Sequence, residues 1–536
     1  MIKNYRRDID SLRAISVLFV IFFHLKLPYF EGGYLGVDIF FVISGFLITK
    51  IILQDLDDKK FTIKNFYLRR IRRIIPLVLF VTFVSLIFAY LIFFPKEFND
   101  FLKSIFFINL FISNIWYGSK GGYFGPVLEQ DPSIHFWSLS VEEQFYLFYP
   151  ILFLIFFKTK KIRNFIFLMY IIIFFSFSIS QFGGNLKFNY PYIEKEFNFF
   201  SIPQFAFYST ITRAWEILIG CVAALYSHNK KRKITYQTYV INISFIFLIL
   251  SLFFLKDNIP HPSLLTFIPI FFTILILIYN EDNFSKNKIL NSRVFSSIGL
   301  ISFSLYLWHQ PVFVYAGLYN IIEQNIYYKF LLFVLIFIIS FFSWRFIEKP
   351  FRNKKIINNK NLFFTIFFVI GILIISVSFF NYKNKNIDPY ILKILNQSNN
   401  YEKIYFDKCT SIPKNYIKPS EACLIGDKNN KDIEFAIIGD SHAAVLAYSF
   451  DKKFTNLNKR AYLFTINGCP TSFNLYNYVN KKFHCKKYYK ELKNFIDNNK
   501  NIKNIILHAR WGFYISGERF NNYEGGKETG KNSIFI

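Results

Sequence analysis

Up to residue 381 the chain alternates between apolar runs of about 17–22 residues and short polar loops, and after that it changes character. Runs of that length match the ~20 residues a helix needs to cross a bilayer. Spans are therefore expected at 9–28, 36–53, 76–94, 139–157, 163–180, 211–227, 237–255, 264–279, 298–318, 328–346 and 362–380. Phe101–Ile115 is apolar but too short, and it reads as an interfacial or re-entrant piece. Beyond Asn381 a polar linker of about 25 residues leads into a different pattern, with strands expected at 434–438, 461–466 and 502–507 and helices at 443–450 and 488–497. Strands alternating with helices predict a parallel α/β sheet. The expected organisation is a polytopic α-helical membrane domain over 1–350, a last transmembrane helix and linker over 351–400, and an α/β domain over 401–536.

Composition sharpens this reading. Of 536 residues, 53% are hydrophobic and 73 are Phe, far more than a soluble core needs. A net charge of +28 in a soluble protein would point to nucleic acid. Here it has another cause, because Lys and Arg gather in the loops that stay in the cytoplasm. Lys3, Arg6 and Arg7, then Lys59–Arg73, Lys158–Arg163, Lys230–Lys233, Lys286–Arg293 and Lys349–Lys360 fall in alternate loops. The loops between them hold few basic residues: Lys26; Lys96, Lys103 and Lys120; Lys187 and Lys195; Lys256; Lys329. One parity fits all of them. It puts the N-terminus inside the cell and everything after Asn381 outside. No small-residue cleavage site follows Phe30, so the first apolar run is expected to be a retained helix.

The candidate chemistry begins in that first span. Asp10, Arg13 and His24 are costly against hydrocarbon and mark function there. Eleven residues separate Arg13 from His24, which returns to nearly the same helical face roughly 16 Å along the axis. The bland reading makes Arg13 a cytoplasmic anchor and His24 an interfacial histidine. Glu142 and Glu143 open another apolar helix, either as dipole partners beside a Ser138 or Ser140 cap or as the charged lining of a site. In the last domain, Gly439-Asp440-Ser441-His442 follows a strand and opens a helix. Glycine permits the turn, and a helix N-terminus stabilises developing negative charge, as a serine nucleophile requires. Cys409, Cys423, Cys469 and Cys485 would face an oxidising space, so disulfides are expected, with the local pairs Cys409–Cys423 and Cys469–Cys485 favoured over metal binding.

Residues 434–447 resemble the first block of the SGNH hydrolase family. The resemblance implies Ser441 as nucleophile and its amide as an oxyanion donor, with Gly468, in Asn467-Gly468-Cys469-Pro470, as the second block's glycine. Where the third block usually has Asn, this chain has His508-Ala509-Arg510-Trp511. The Asp-x-x-His block that supplies the family's base and its orienter is absent, and His442 does not replace it. The domain is therefore expected to be incomplete and impaired, the chain being truncated by a frameshift or a gene-model error.

Residues of about 5–350 resemble acyltransferase family 3 over a long stretch. The resemblance rests on Asp10-Ser11-Leu12-Arg13-Ala14, His24, Gly33–Phe46, Phe66–Pro76 and Trp137–Phe145. The two domains in this order look like bacterial O-acetyltransferases that modify surface glycans. The resemblance implies that Arg13 and His24 are needed for activity. Physical chemistry gives them roles: an imidazole whose proton moves near neutral pH suits His24 as general base or acyl relay, and Asp38, near the start of the next span, is placed to orient it. Arg69, Arg70, Arg72 and Arg73 would grip the phosphates of acyl-CoA, although the positive-inside rule also places basic residues there. His309, in Trp308-His309-Gln310-Pro311, either lines the same cavity or lies at the interface. The function expected is transfer of an acyl group, acetyl first, from cytoplasmic acetyl-CoA to a hydroxyl of an extracytoplasmic glycan such as O-antigen or peptidoglycan. No bound cofactor, metal or nucleic acid is expected. The partners are acyl-CoA, a surface glycan or lipid-linked oligosaccharide, and the lipid of a bacterial inner membrane. A small-anion transporter and an acyl-ester hydrolase are the rival readings.

Overall fold

The computed structural model describes residues 5–120, 131–181, 202–228, 236–256, 259, 261–280, 287–318, 325–385, 407–412, 416–469 and 484–516. The basic loop Lys230–Lys233, the residues Lys187, Lys195 and Lys286, the linker over 386–400 and the chain beyond 516 lie outside them. The chain divides into two units, Met1–Asn381 and Tyr382–Ile536.

The first unit is helical. Its helices are α1 (Arg7–His24), α2 (Gly36–Asp57), α3 (Ile63–Ile92), α4 (Pro95–Asn109), α5 (Ser113–Lys120), α6 (Phe136–Lys158), α7 (Ile162–Ser178) and α8 (Ile202–Tyr208). They continue as α9 (Thr210–His228), α10 (Gln237–Phe254), α11 (Phe267–Tyr279), α12 (Arg293–Leu300), α13 (Ser302–Gly317), α14 (Ile326–Ser343) and α15 (Asn359–Lys385). Each of the eleven expected spans falls on helix. Six of the described helical stretches are long and apolar enough to cross a membrane: Glu31–Asp57, Ile63–Ile92, Phe136–Lys158, Ile162–Gln181, Gln237–Phe254 and Ile326–Arg352. Pro76, Pro150 and Pro311 sit inside α3, α6 and α13 without ending them. Neighbouring helices and local adjustments satisfy the freed backbone groups in such settings.

Three boundaries differ from the sequence expectation. The first helix stops at His24, where Leu25 caps it, so His24 closes the helix instead of lying within it. The apolar run at 298–318 breaks at Ile301 into α12 and α13. The helix bearing Glu142 starts at Phe136, which puts both glutamates beyond its first turn. Neither serine caps it: Ser138 Oγ bonds the His135 carbonyl, and Ser140 Oγ pairs with Ser113 Oγ at 2.8 Å.

Helices α2 and α9 pack in close backbone contact. A Cβ on Gly45 would stand 1.9 Å from the Ile217 carbonyl oxygen, and one on Gly220 would stand 2.1 Å from that of Val42. Small residues let helix backbones approach where no hydrophobic drive exists between apolar surfaces in lipid. That approach lays Asp38 of α2 against Arg213 of α9. Around it, Leu12, Ile39, Val42, Phe46, Trp215 and Leu248 form the buried interior.

The second unit is a sheet with helices. Its strands are β1 (Thr410–Ser411), β2 (Cys423–Gly426), β3 (Ile433–Gly439), β4 (Arg460–Ile466) and β5 (Asn504–His508). Its helices are α16 (Ser441–Asn456), α17 (Cys485–Asn498) and α18 (Trp511–Ser516). Strand β3 lies between β4 and β5, parallel to both, as the alternating pattern predicts. The sequence pattern missed β1, parallel to the end of β4, and β2, antiparallel to its beginning. The cores on the sheet's faces include Ala436, Ile438, Phe464 and Leu492 in one cluster and Ile437, Ala447 and Leu463 in the other. Disulfides join Cys409 to Cys423 and Cys469 to Cys485.

Candidate functional site

Arg13 of α1, Arg70 and Arg73 of α3, and Glu142 and Tyr146 of α6 line one cavity, together with Ser44 of α2 and Ser138 of α6. Arg70 and Arg73 share a face because residues three apart on a helix are neighbours. Arg69 and Arg72 are turned about 100° from that face and do other work. Arg69 pairs with Asp55. Arg72 donates to the Phe351 carbonyl (3.0 Å), the Ile357 carbonyl (2.6 Å) and Asn359 Oδ1 (2.7 Å), tying α3 to the start of α15 and the chain just before it. Of the four arginines assigned to donor binding, the structure brings two to the cavity and sets Arg69 and Arg72 outside its lining. Inside it, the Tyr146 hydroxyl donates to Glu142 Oε2 at 2.8 Å, and the Arg70 guanidinium lies 5.3 Å from the centre of the Tyr146 ring. Arg13 Nη1 is 3.3 Å from Asp10 Oδ1, and Asp10 also accepts from Tyr5 at 2.7 Å. The cavity offers three guanidinium groups, those of Arg13, Arg70 and Arg73, to a phosphate-bearing ligand.

The other end of α1 faces a second cavity. His24 lines it with His135, His261, His309, Arg213 and Trp137. The rings of His24 and His309 are 5.2 Å apart, and those of His135 and His309 also 5.2 Å. His309 Nδ1 is held 2.5 Å from the Tyr306 carbonyl, which leaves Nε2 as the acceptor nitrogen. Nε2 has no hydrogen-bond partner among the described residues. A neutral imidazole with one nitrogen fixed and the other open suits proton transfer. Among the described residues no three His, Cys, Asp or Glu side chains are grouped to hold a metal ion.

Asp38 does not orient His24. Its Oδ1 accepts from Arg213 and lies 3.4 Å from His261 Nε2, while Arg213 Nη1 is 2.7 Å from the same nitrogen and 3.1 Å from Glu216 Oε1. All four side chains are buried. A guanidinium outcompetes a neutral imidazole for a carboxylate in a low-dielectric interior, and α9 brings one to Asp38. The sequence reading passed over Arg213, Glu216, His135 and His261. For the first two a signal existed: opposite charges three residues apart within an apolar run are costly unless they serve a site. No comparable signal marks His261, which lies between two spans.

In the second unit Gly439 ends β3, and a Cβ there would stand 2.1 Å from the His508 carbonyl oxygen of the neighbouring strand. Asp440 caps α16, with Oδ1 accepting from the His442 amide at 2.8 Å. Its Oδ2 accepts from the Arg510 amide at 3.1 Å and the Tyr514 hydroxyl at 2.5 Å. Burial, and then the Asp440 charge, pushes the Tyr514 hydroxyl up from its ordinary pKa, so it stays a donor. The turn is thereby fixed from three sides and presents Ser441, half-buried, as the first residue of α16. Gly468, at φ +69°, follows β4 at the same C-terminal edge of the sheet. Arg510 thus contributes its backbone where the resemblance led one to look for an Asn side chain.

Comparison with known proteins agrees with both units. A family model described as an acyltransferase domain matches residues 6–380, and one described as an SGNH domain fused to AT3 domains matches residues 408–534. The chain is 30% identical over 365 residues to O-acetyltransferase OatA of Staphylococcus aureus, covering 66% of this chain and 58% of that protein. It is 32% identical over 373 residues to the peptidoglycan O-acetyltransferase OatA of Listeria monocytogenes, covering 66% of this chain and 57% of the relative. The chain thus spans less than three fifths of the length of these curated relatives. No solved structure matches it. With most of its length matched by the first model and the sheet unit by the second, the chain belongs to the acyltransferase 3 family, in its form fused to an SGNH domain.

Proposed function

We propose that this protein is a membrane O-acyltransferase that takes an acyl group, acetyl first, from cytoplasmic acyl-CoA and delivers it to a hydroxyl of an extracytoplasmic glycan. Peptidoglycan is the leading acceptor, since one relative is named for it; O-antigen is the alternative. One observation carries the reading: a single helix, α1, presents Arg13 to an arginine-lined cavity and His24 to a histidine-lined one. The first cavity suits the phosphates of the donor and the second suits proton transfer at its thioester. Arg13, Arg70 and Arg73 bind the donor, Glu142 holds the Tyr146 hydroxyl among them, and His24 acts as base or relay beside His309. In a complete domain, with the base that the family's last block supplies, Ser441 accepts the acyl group for delivery to the sugar, with its own amide and that of Gly468 as oxyanion donors.

The proposed setting is a bacterial inner membrane crossed eleven times, with the N-terminus inside and the SGNH unit outside. The alternation of basic loops supports this orientation, and so do the two disulfides, which persist in oxidising compartments. The test incubates membranes bearing the full chain with radiolabelled acetyl-CoA and follows label into purified glycan. Replacing His24 by Ala is expected to lower incorporation about 10²–10⁴-fold, the usual contribution of a general base. Incorporation unchanged in H24A would overturn the role of the histidine cavity. Label found in no covalent product, even with His24 in place, would favour a carrier.

A further inference from the structure

The two cavities are distinct but share lining. Tyr306 and Val37 belong to both. On one side of Tyr306 are Arg13, Arg73 and Phe303; on the other are His24 and His309, with the Tyr306 ring 5.3 Å from that of His309 and 5.4 Å from that of His135. The ring is fastened at its tip. Its hydroxyl lies 3.1 Å from the His135 carbonyl and 2.6 Å from Ser138 Oγ, which is itself 3.1 Å from that carbonyl; the two hydroxyl protons are shared in this cluster, so Tyr306 bridges from α13 to the start of α6. Both contacts lie at the N-terminus of α6, on its preceding residue His135 and on Ser138, where one rotation of the Tyr306 side chain would break them together.

The geometry points to Tyr306 as a latched partition between the donor cavity and the histidine cavity. The ring lies where the cavities meet, and its bonds to Ser138 and the His135 carbonyl hold it there. Swinging it aside would join them into one passage along α1. The distance such a passage must cover, eleven residues of α1 or roughly 16 Å of helix rise, calls for a ligand with a long, narrow arm and its charge at one end. A phosphorylated pantetheine thioester has that shape: its phosphates would stay with Arg13, Arg70 and Arg73 while its sulfur end passed Tyr306. The latch makes Tyr306 a positioning residue. It keeps water and anions from the histidines until a donor fills the first cavity. No bond is made to the tyrosine. The identity of the ligand, and the assignment of the arginine side to the cytoplasm, rest on the function proposed above; the partition itself does not.

The test reads access directly. Val20 lines the histidine cavity and not the arginine one, and it is buried. Full-length V20C protein in inside-out vesicles is exposed to a charged methanethiosulfonate reagent, with the parent chain as control for the buried Cys221. With Tyr306 present, labelling of Cys at position 20 is expected to be slow. Y306F keeps the ring and loses the latch, and it is expected to label about tenfold faster, the scale of two lost hydrogen bonds. Y306A, which removes the ring, is expected to label faster still. Equal labelling in all three would overturn the partition. Y306F and V20C are conservative, so the result does not depend on Y306A folding. Acetyl-CoA hydrolysis provides the second readout: Y306F is expected to release more acetate per acetyl group transferred, and an unchanged ratio counts against the latch. If glycan never acquires label but the order of Cys reactivity holds, the partition stands and only the acyl-transfer reading fails.

Discussion

Asp38 in the helical unit and Asp440 in the sheet unit are both buried carboxylates, and they are satisfied in opposite ways. Asp38 gives one oxygen to a guanidinium and a nearby imidazole, and its Oδ2 has no hydrogen-bond partner among the described residues. Asp440 uses both oxygens on three neutral donors, two amides and a phenol. A charge met by a charge needs few bonds because the Coulomb energy is large where water is absent; a charge met by dipoles needs several. The first arrangement is brittle, since removing either member leaves a buried charge. The second is tolerant, since each donor supplies a fraction. The helical unit thus holds its site by a few high-stakes pairs, and the sheet unit holds Ser441 by a network of modest bonds.

The largest expected effect follows from that contrast. Arg213→Ala would leave Asp38 and Glu216 buried without their cation, and it is expected to cost about 3–5 kcal/mol, the scale of breaking a buried pair. Asp38→Asn should cost less, because Glu216 at 3.1 Å still holds the guanidinium. The measurement is thermal unfolding of the full chain in lipid nanodiscs. Equal losses for the two variants would mean that Glu216 does not hold the guanidinium once the Asp38 charge is gone, whereas no loss at all for Asp38→Asn would mean that Arg213 is held by its rings, Phe41, Trp137 and Phe207, and not by its carboxylates. Asp440→Ala comes next, at about 1–3 kcal/mol for the donors left unpaired. Hydrogen exchange over residues 439–456 is expected to rise there while exchange in α2 and α9 stays unchanged. A loss as large as that of Arg213→Ala would erase the distinction drawn between the two carboxylates.

What the sequence discloses about each unit also differs, for physical reasons. Lipid leaves the backbone no partner but itself, so apolar length is a strong signal and all eleven runs are helical. Ends are weaker signals: Pro28 bounds the first helix only loosely, and its stop at His24 is set by the turn through Leu25 to Gly33. Arg13, His24 and Glu142 were conspicuous because charge in an apolar run is rare. Which of the four arginines face the cavity depended on helix phase. The partner of Asp38 depended on the approach of α2 and α9, which lie 175 residues apart at the contact. In the sheet unit the central strands β3, β4 and β5 were readable as apolar blocks. Strands β1 and β2, two and four residues long, carry no period to read. The Asp440 network drew on Tyr514, seventy-four residues away, which no local pattern connects to the Gly-Asp-Ser turn.

The smallest effect tests whether exposure removes the brittleness. Glu434, partly exposed on β3, accepts from Lys459 Nζ at 3.2 Å and has Lys503 Nζ at 3.6 Å. The hydrogen bond from Lys459, then its charge and that of Lys503, holds the Glu434 carboxyl below the ordinary range. A carboxylate whose folded value is depressed stabilises the fold above its unfolded value, near 4.3, and loses that contribution as pH falls through the folded value. The difference in Tm between the parent and Glu434→Gln is therefore expected to be small and constant from neutral pH down to about pH 5 and to shrink toward zero below about pH 4. Raising salt should shrink it as well, because solvent ions reach this pair, while the cost of Arg213→Ala should hardly respond. A Glu434→Gln difference that persisted in acid and in high salt would make the contact one of packing, and exposure would no longer explain why two cations on one carboxylate matter so little here and one cation matters so much at Asp38.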